Sequence, residues 1–194
     1  MAKHQTSSAF TVVELLIVIA IILVLAGLIL ATSGYVQAKG KRSRAEAEIA
    51  ALSAALENYK ADSGIYPRDS VTDNLDPTTA SLSNYDPASL KLYEYLSGDS
   101  DDNRTPETRV YFAFKPNQLS PIDQAQPVQA LRDPFSNPYG YSTMKASDPS
   151  KNGYNATFDL WSVGDGMAGI DPSKWIVLNK TIKIQSAEFS DRIL

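Results

Sequence analysis

Cysteine is absent from this chain of 194 residues, and histidine occurs once, at His4. No disulfide, thiolate nucleophile or cysteine-held metal is possible. The commonest general base and transition-metal ligand is confined to the first few residues. Positive charge is also in short supply. With 18 Lys and Arg against 22 Asp and Glu, the formal charge is −4. Phosphate binding needs clustered Lys and Arg, so nucleic acid is excluded as the main ligand.

Charge is nearly missing from one stretch, Phe10 to Ala31, and that gap organises the chain. Roughly 20 apolar residues at about 1.5 Å each match a hydrocarbon core of about 30 Å, so the run is long enough to cross a bilayer. Its single charge is Glu14. A carboxylate at full depth costs on the order of 2.5 kcal/mol or more. Either Glu14 meets a partner inside the membrane, or it lies shallow enough to reach headgroups and water. Ahead of the run stand Lys3, His4 and the small residues Ser7-Ser8-Ala9. A secretory signal places its cleavage site after the apolar region, so small residues before it point to another kind of processing.

The pattern Ala9-Phe10-Thr11-Val12-Val13-Glu14-Leu15 resembles the type IV pilins and the pseudopilins of type II secretion. The resemblance implies a cytoplasmic leader, residues 1–9, cut between Ala9 and Phe10 by prepilin peptidase, with N-methylation of the new terminal Phe10. It also implies that Glu14 pairs with a neighbouring subunit's terminal amine during filament assembly. Ala9 departs from the glycine usual in the family. Removal of the leader would take Lys3 and the chain's histidine with it.

After Ala31 come Tyr35, suited to a membrane interface, and the basic residues Lys39, Lys41, Arg42 and Arg44, which can meet phospholipid headgroups. Positive charge on this side would by itself place the C-terminal domain in the cytoplasm. The resemblance implies the opposite topology. From Arg42 the spacing of Ile49, Leu52, Leu56 and Tyr59, with Ala45, Ala51 and Ala55, predicts an amphipathic helix that packs on a domain and stops at Gly64. One helix from Phe10 to Asp62 is the simplest reading; two helices hinged at Gly34 or Gly40 are the alternative. The segment Ile49 to Pro67 is similar to the corresponding helix end of major pseudopilins.

Residues 68–85 read as a loop. Asp86-Pro87 predicts the cap and first turn of a short helix, about 87–97, with Leu90, Tyr93 and Leu96 on one face and Gly98 beyond it. Asp99, Asp101 and Asn103 alternate as in a calcium loop. An EF-hand would need glycine at Arg104 and glutamate at Val110, so a solvated acidic turn is expected instead. Val110 to Phe114 predicts a strand, and Pro116 to Pro127 an exposed connection.

Asp133-Pro134-Phe135-Ser136-Asn137-Pro138-Tyr139 predicts a turn leading into a strand, and Thr157 to Val163 predicts the next strand after a hairpin-like stretch at Asn152-Gly153. Phe158, Leu160 and Ser162 share one face of it. Glycines then surround Asp165 and Asp171, a flexible, oxygen-bearing loop of a kind that is usually a turn and sometimes holds a hard cation. Residues 175–184 could form a last strand. The 133–139 turn followed by Phe158-Asp159-Leu160-Trp161-Ser162-Val163-Gly164-Asp165-Gly166 resembles the signature of the major pseudopilin, whose loop binds a structural calcium. The resemblance implies Asp165 and Asp171 as ligands, with main-chain oxygens near Val163, Met167, Ala168 and Gly169.

The expectation is therefore an α+β protein of the pilin-like kind, a long N-terminal helix packed on a small antiparallel β-sheet domain. Its parts are a leader (1–9), a transmembrane and filament-core helix (10–33), an amphipathic continuation (34–64), a variable region (65–129) and a C-terminal β region with a calcium loop (130–194). About 160 residues outside the leader and membrane segment suffice for one domain. The implied protein is a non-enzymatic, self-assembling subunit of a type II secretion pseudopilus. It would be anchored by a single pass in the bacterial inner membrane with its C-terminal domain in the periplasm. Its partners would be itself, other pseudopilins, prepilin peptidase, the inner-membrane assembly platform and membrane lipid. A minor pilin-like subunit for adhesion or DNA uptake, and a membrane-anchored periplasmic enzyme, are the alternatives.

Overall fold

Helix α1 spans Val12–Ser63, 52 residues, and is continuous through Gly34 and Gly40. A computed structural model describes residues 11–79, 82–164 and 176–177, with side chains described except at 29–33 and 176–177. The chain divides into two compact units, Met1–Gly40 and Lys41–Leu194.

In the first unit the apolar side chains from Val12 to Leu28 are 45–76% exposed. Among the described residues no helix is long and apolar enough to cross a membrane. The described apolar side chains stop at Leu28, whereas the run in the sequence continues to Ala31. Tyr35, 73% exposed, comes after it.

The second unit is built on the amphipathic part of α1, as the periodicity predicts. Ala45, Ile49, Leu52, Ala55 and Leu56 are buried, one stripe at helical spacing. They pack in one core with Leu92, Tyr93 and Leu96 of α2 (Leu82–Ser97) and with Leu131, Tyr139, Tyr141, Phe158 and Leu160. The stripe ends where Gly64 takes φ +80° and its N–H donates to the Lys60 carbonyl at 2.8 Å.

Two small antiparallel sheets complete the unit. Strands β1 (Leu119–Ser120) and β2 (Ala130–Leu131) pair through Leu119↔Leu131. Strands β3 (Gly140–Ser142), β4 (Asp159–Ser162) and β5 (Ile176–Val177) form the other, in that order. Helix α3 (Met144–Ser147) lies in the β3–β4 connection, which is thus a wide loop rather than a tight turn at Asn152-Gly153.

Five expectations change. Residues 116–127 are not simply an exposed connection, because a single 3-10 turn (Pro116–Gln118) leads into β1, whose pairing with β2 buries Gln118 and Leu119. Helix α2 begins at Leu82, so Pro87 is interior rather than first-turn. Pro87 forgoes a main-chain donor, and the added turn buries Tyr85 completely, edge-on to Trp161 at 5.3 Å. Val110 to Phe114 is not a strand. Tyr111 and Phe112 donate their N–H groups to the Leu96 carbonyl at 2.8 and 2.9 Å, closing the end of α2 instead. Strand β4 is shorter than 157–163 and buried on both faces, so its alternation marks no solvent side. The turn after Gly98 is not wholly solvated, because Asp99 is fully buried.

Candidate functional site

The helix start is the first place where function was expected. Thr11 caps α1: its carbonyl accepts the Leu15 N–H at 3.2 Å, and its hydroxyl accepts the Glu14 N–H at 3.2 Å. Glu14 answers with its carboxylate. Oε2 accepts both the Thr11 N–H and the Thr11 hydroxyl at 2.8 Å. This is a capping box, T-x-x-E, which satisfies two donors that the first turn would leave open. The signal for it in the sequence is the Thr11-Val12-Val13-Glu14 spacing. Ala9 and Phe10, the expected processing pair, lie outside the described residues.

The second place is where β4 ends. Asp133 is buried, and three donors converge on its carboxylate. The Phe135 and Asn137 N–H groups reach Oδ1 at 2.9 and 2.8 Å, and the Ser162 hydroxyl reaches Oδ2 at 2.5 Å. Burial pushes its pKa up to about 6 against the pull of those hydrogen bonds, with the Glu48 charge adding to the rise. Ser162 Oγ also accepts the Gly164 N–H at 3.1 Å, and the Asn137 side-chain amide donates to the Gly164 carbonyl at 2.7 Å. Gly164 has φ +65°, a left-handed conformation for which glycine is the natural residue. Both main-chain groups of Gly164, two residues past β4, are therefore held, the carbonyl by Asn137 of the 133–139 turn and the N–H by Ser162, whose hydroxyl is itself bound to Asp133. The strand and turn readings located both segments; nothing in either spacing showed that Asp133 and Asn137 reach Ser162 and Gly164.

Of the expected calcium set, Val163 is buried beside Trp161, Tyr85, Ala88 and Leu75. Asp165, Met167, Ala168, Gly169 and Asp171 lie outside the described residues. Asp133 is not a spare ligand, since internal donors occupy both its oxygens.

A third cluster joins Asp99, Asp101 and Glu107, whose oxygens lie within 4.8 Å of one another. These groups serve the turn itself. Asp99 accepts from the Tyr93 hydroxyl at 2.6 Å and from the Arg104 and Asn103 N–H groups at 2.6 and 3.2 Å. Glu107 accepts from the Ser100 N–H at 2.8 Å, and Asp101 from the Asn103 side chain at 2.9 Å. Burial, then the charges of Glu94 and Asp99, push the neighbouring Asp102 up to about 6. Arg104, at φ +70°, ties the turn to the proline-rich loop by donating to the carbonyls of Gln126, Pro121 and Asp123 at 2.9, 2.6 and 3.2 Å. No protein-family model, curated protein or solved structure matches the chain.

Proposed function

We propose that the protein is a structural subunit of a pilin-like filament, the pseudopilus of a type II secretion system. The observation that carries this reading is the start of α1, where apolar side chains from Val12 to Leu28 are exposed around the whole helix with Glu14 as their one charge. Such a surface is far larger than an isolated domain leaves in water, and only lipid or other apolar helices can cover it. Continued to Ala31, the run spans the bacterial inner membrane before assembly, with the C-terminal domain in the periplasm, and afterwards lies among copies of itself in the filament core. The resemblance around Phe10 and at 133–139 selects this family from other single-pass anchors. Prepilin peptidase, the other pseudopilins and the inner-membrane assembly platform are then its partners, and its work is mechanical rather than catalytic.

Assembly gives Glu14 a second partner. Leader removal creates an α-amino group at Phe10, and pairing with it on a neighbouring subunit offsets the desolvation of both charges and sets axial register. The capping box holds the carboxylate at the helix start until that partner arrives.

Calcium completes the proposed subunit. Asp165 and Asp171 would hold it, with main-chain oxygens near Val163, Met167, Ala168 and Gly169, a hard-oxygen set suited to this cation. The pinned Gly164 supports this placement, since it gives the loop a fixed starting direction. Bound calcium would supply charge neutralisation that orders the loop.

Mass spectrometry of the N-terminus tests the reading as a whole. A chain beginning at N-methylated Phe10 is expected. A membrane-inserted protein that retains Met1 would refute it.

A further inference from the structure

Asn152-Gly153 reads in the sequence as a hairpin turn, yet no tight turn forms there, and the pair carries a chemistry of its own. An asparagine side chain is open to attack by the main-chain nitrogen of the residue after it, and a glycine in that place, having no side chain, obstructs the attack least. Of the chain's nine asparagines only Asn152 precedes a glycine. Asn137 precedes Pro138, whose nitrogen has no proton to give up. Asn155 precedes the small Ala156, but it is buried, and its side-chain amide donates to Asp159 at 2.6 Å.

The fold leaves the reacting groups open. Asn152 is exposed, and among the described residues the Gly153 N–H has no acceptor. Glycine is required at 153 all the same. Its φ is +145°, and a Cβ there would lie 2.7 Å from the Lys145 Cβ. The loop that needs this glycine thus keeps the reactive pair. The Asn152 side-chain amide donates to Asp76 Oδ2 at 2.7 Å, tying the 148–153 loop to the stretch after the 3-10 turn Thr72–Asn74. Thr78 occupies Oδ1 with its N–H and hydroxyl at 2.7 and 2.6 Å. Burial pushes the Asp76 carboxyl up, but hydrogen bonds from Thr78 and Asn152 outweigh it and hold it below the usual carboxylate range. Asp76 is therefore ionised, and only a donor suits the place facing Oδ2.

We propose that Asn152 is a site of spontaneous deamidation, and that the acid it becomes releases the 148–153 loop from Asp76. The Gly153 nitrogen forms a bond to Asn152 Cγ, and the Cγ–Nδ2 bond breaks. Nδ2 leaves as ammonia, taking up through water the proton that the Gly153 nitrogen gives up. Water then opens the cyclic imide at either carbonyl, giving an aspartyl or an isoaspartyl residue. One water is consumed and one ammonia released, with no oxidant or reductant. Either product sets a carboxylate against the ionised Asp76 where a donor stood, so attraction becomes repulsion. The proposal is independent of the filament reading.

The test uses the full chain in detergent micelles, incubated in mildly alkaline buffer and followed by peptide mapping with mass spectrometry. Conversion at 152 ahead of every other asparagine is expected, with both acid products. No conversion there, or conversion no faster than at Asn155, would overturn the proposal. Asn152→Asp supplies one product directly. Hydrogen exchange over residues 148–154 should rise about three- to tenfold in it, the effect of one half-exposed, charge-assisted hydrogen bond. Asn152→Asp combined with Asp76→Asn reverses donor and acceptor and should bring exchange back. Thermal melts establish that both variants fold, and the wild-type incubation stands whatever they show. Unchanged exchange in Asn152→Asp, or exchange that stays raised in the double variant, would overturn the release from Asp76.

Discussion

Gly140→Ala puts the packing of β3 on β4 to a direct test. Gly140 is the register partner of Trp161. A Cβ at residue 140 would lie 2.0 Å from Cε2, 2.2 Å from Cζ2 and 2.6 Å from Cδ2 of the indole. Ordinary carbon contacts begin near 3.5 Å, so the ring would have to move by about 1.5 Å. It has little room to do so. Trp161 is 1% exposed and stands perpendicular to the Tyr85 ring. Overpacking of this kind costs about 1–3 kcal/mol, and disturbing the aromatic pair adds about 0.5–1.5 kcal/mol. A loss of about 2–4 kcal/mol is expected, or roughly 5–15 °C in Tm for a chain of this size. Guanidinium melts followed by tryptophan fluorescence measure it. Repeating the substitution in a Trp161→Phe background should recover most of the loss, because the smaller ring vacates the space. A cost below about 0.5 kcal/mol, or the same cost in both backgrounds, would refute the packing argument.

Asp133 makes stability depend on pH. Its carboxyl titrates at about 6 in the fold against about 3.9 in the unfolded chain, so the native state binds the extra proton between these values and stability falls as pH rises through that window. Urea melts should show the wild type losing up to about 2 kcal/mol more than Asp133→Asn between pH 4.5 and 7; parallel profiles would exclude the assignment. Calcium at about 100 times its Kd should stabilise the chain by about 2.7 kcal/mol, with Asp165→Ala abolishing the effect; an unchanged wild-type Tm would sink the metal proposal. Glu14→Gln keeps a residue able to complete the capping box but removes the charge, so sedimentation should show assembly lost while α1 stays helical. Thr11→Val, which removes the cap and costs about 1 kcal/mol at the helix start, should still assemble; the reverse pattern would make Glu14 a capping residue only.

What the sequence revealed of this fold depended on how local each signal was. The buried stripe Ala45, Ile49, Leu52, Ala55 and Leu56 was legible because one helical face meets one core. The start of α2 was not. Asp86-Pro87 has the chemistry of a helix start, but burial of Tyr85 against Trp161, a residue of β4, extends the helix past it. Val110 to Phe114 misled for a related reason. Aromatic and β-branched side chains signal a half-buried surface, and here α2 provides that surface through Leu96 and Tyr93 without a partner strand. In β4 the flanking residues Asp159 and Trp161 are as buried as Leu160 and Ser162, so alternation had no solvent face to mark.

The candidate sites divide along the same line. Glu14 could be picked out because a carboxylate in an apolar run is conspicuous, and its local partner Thr11 was readable from T-x-x-E spacing. The fastening of Gly164 was not readable, because Asp133 and Asn137 act on Ser162 and Gly164 across 29 and 27 positions. That distance bears on the proposed metal. If calcium closes the loop after Gly164, its binding is coupled to a turn that supplies none of the ligands. Asn137→Ala would then weaken calcium binding while leaving both aspartates intact. The 133–139 turn and the 158–164 stretch thus have a physical reason to occur together, since Asn137 holds the Gly164 carbonyl and Asp133 the Ser162 hydroxyl.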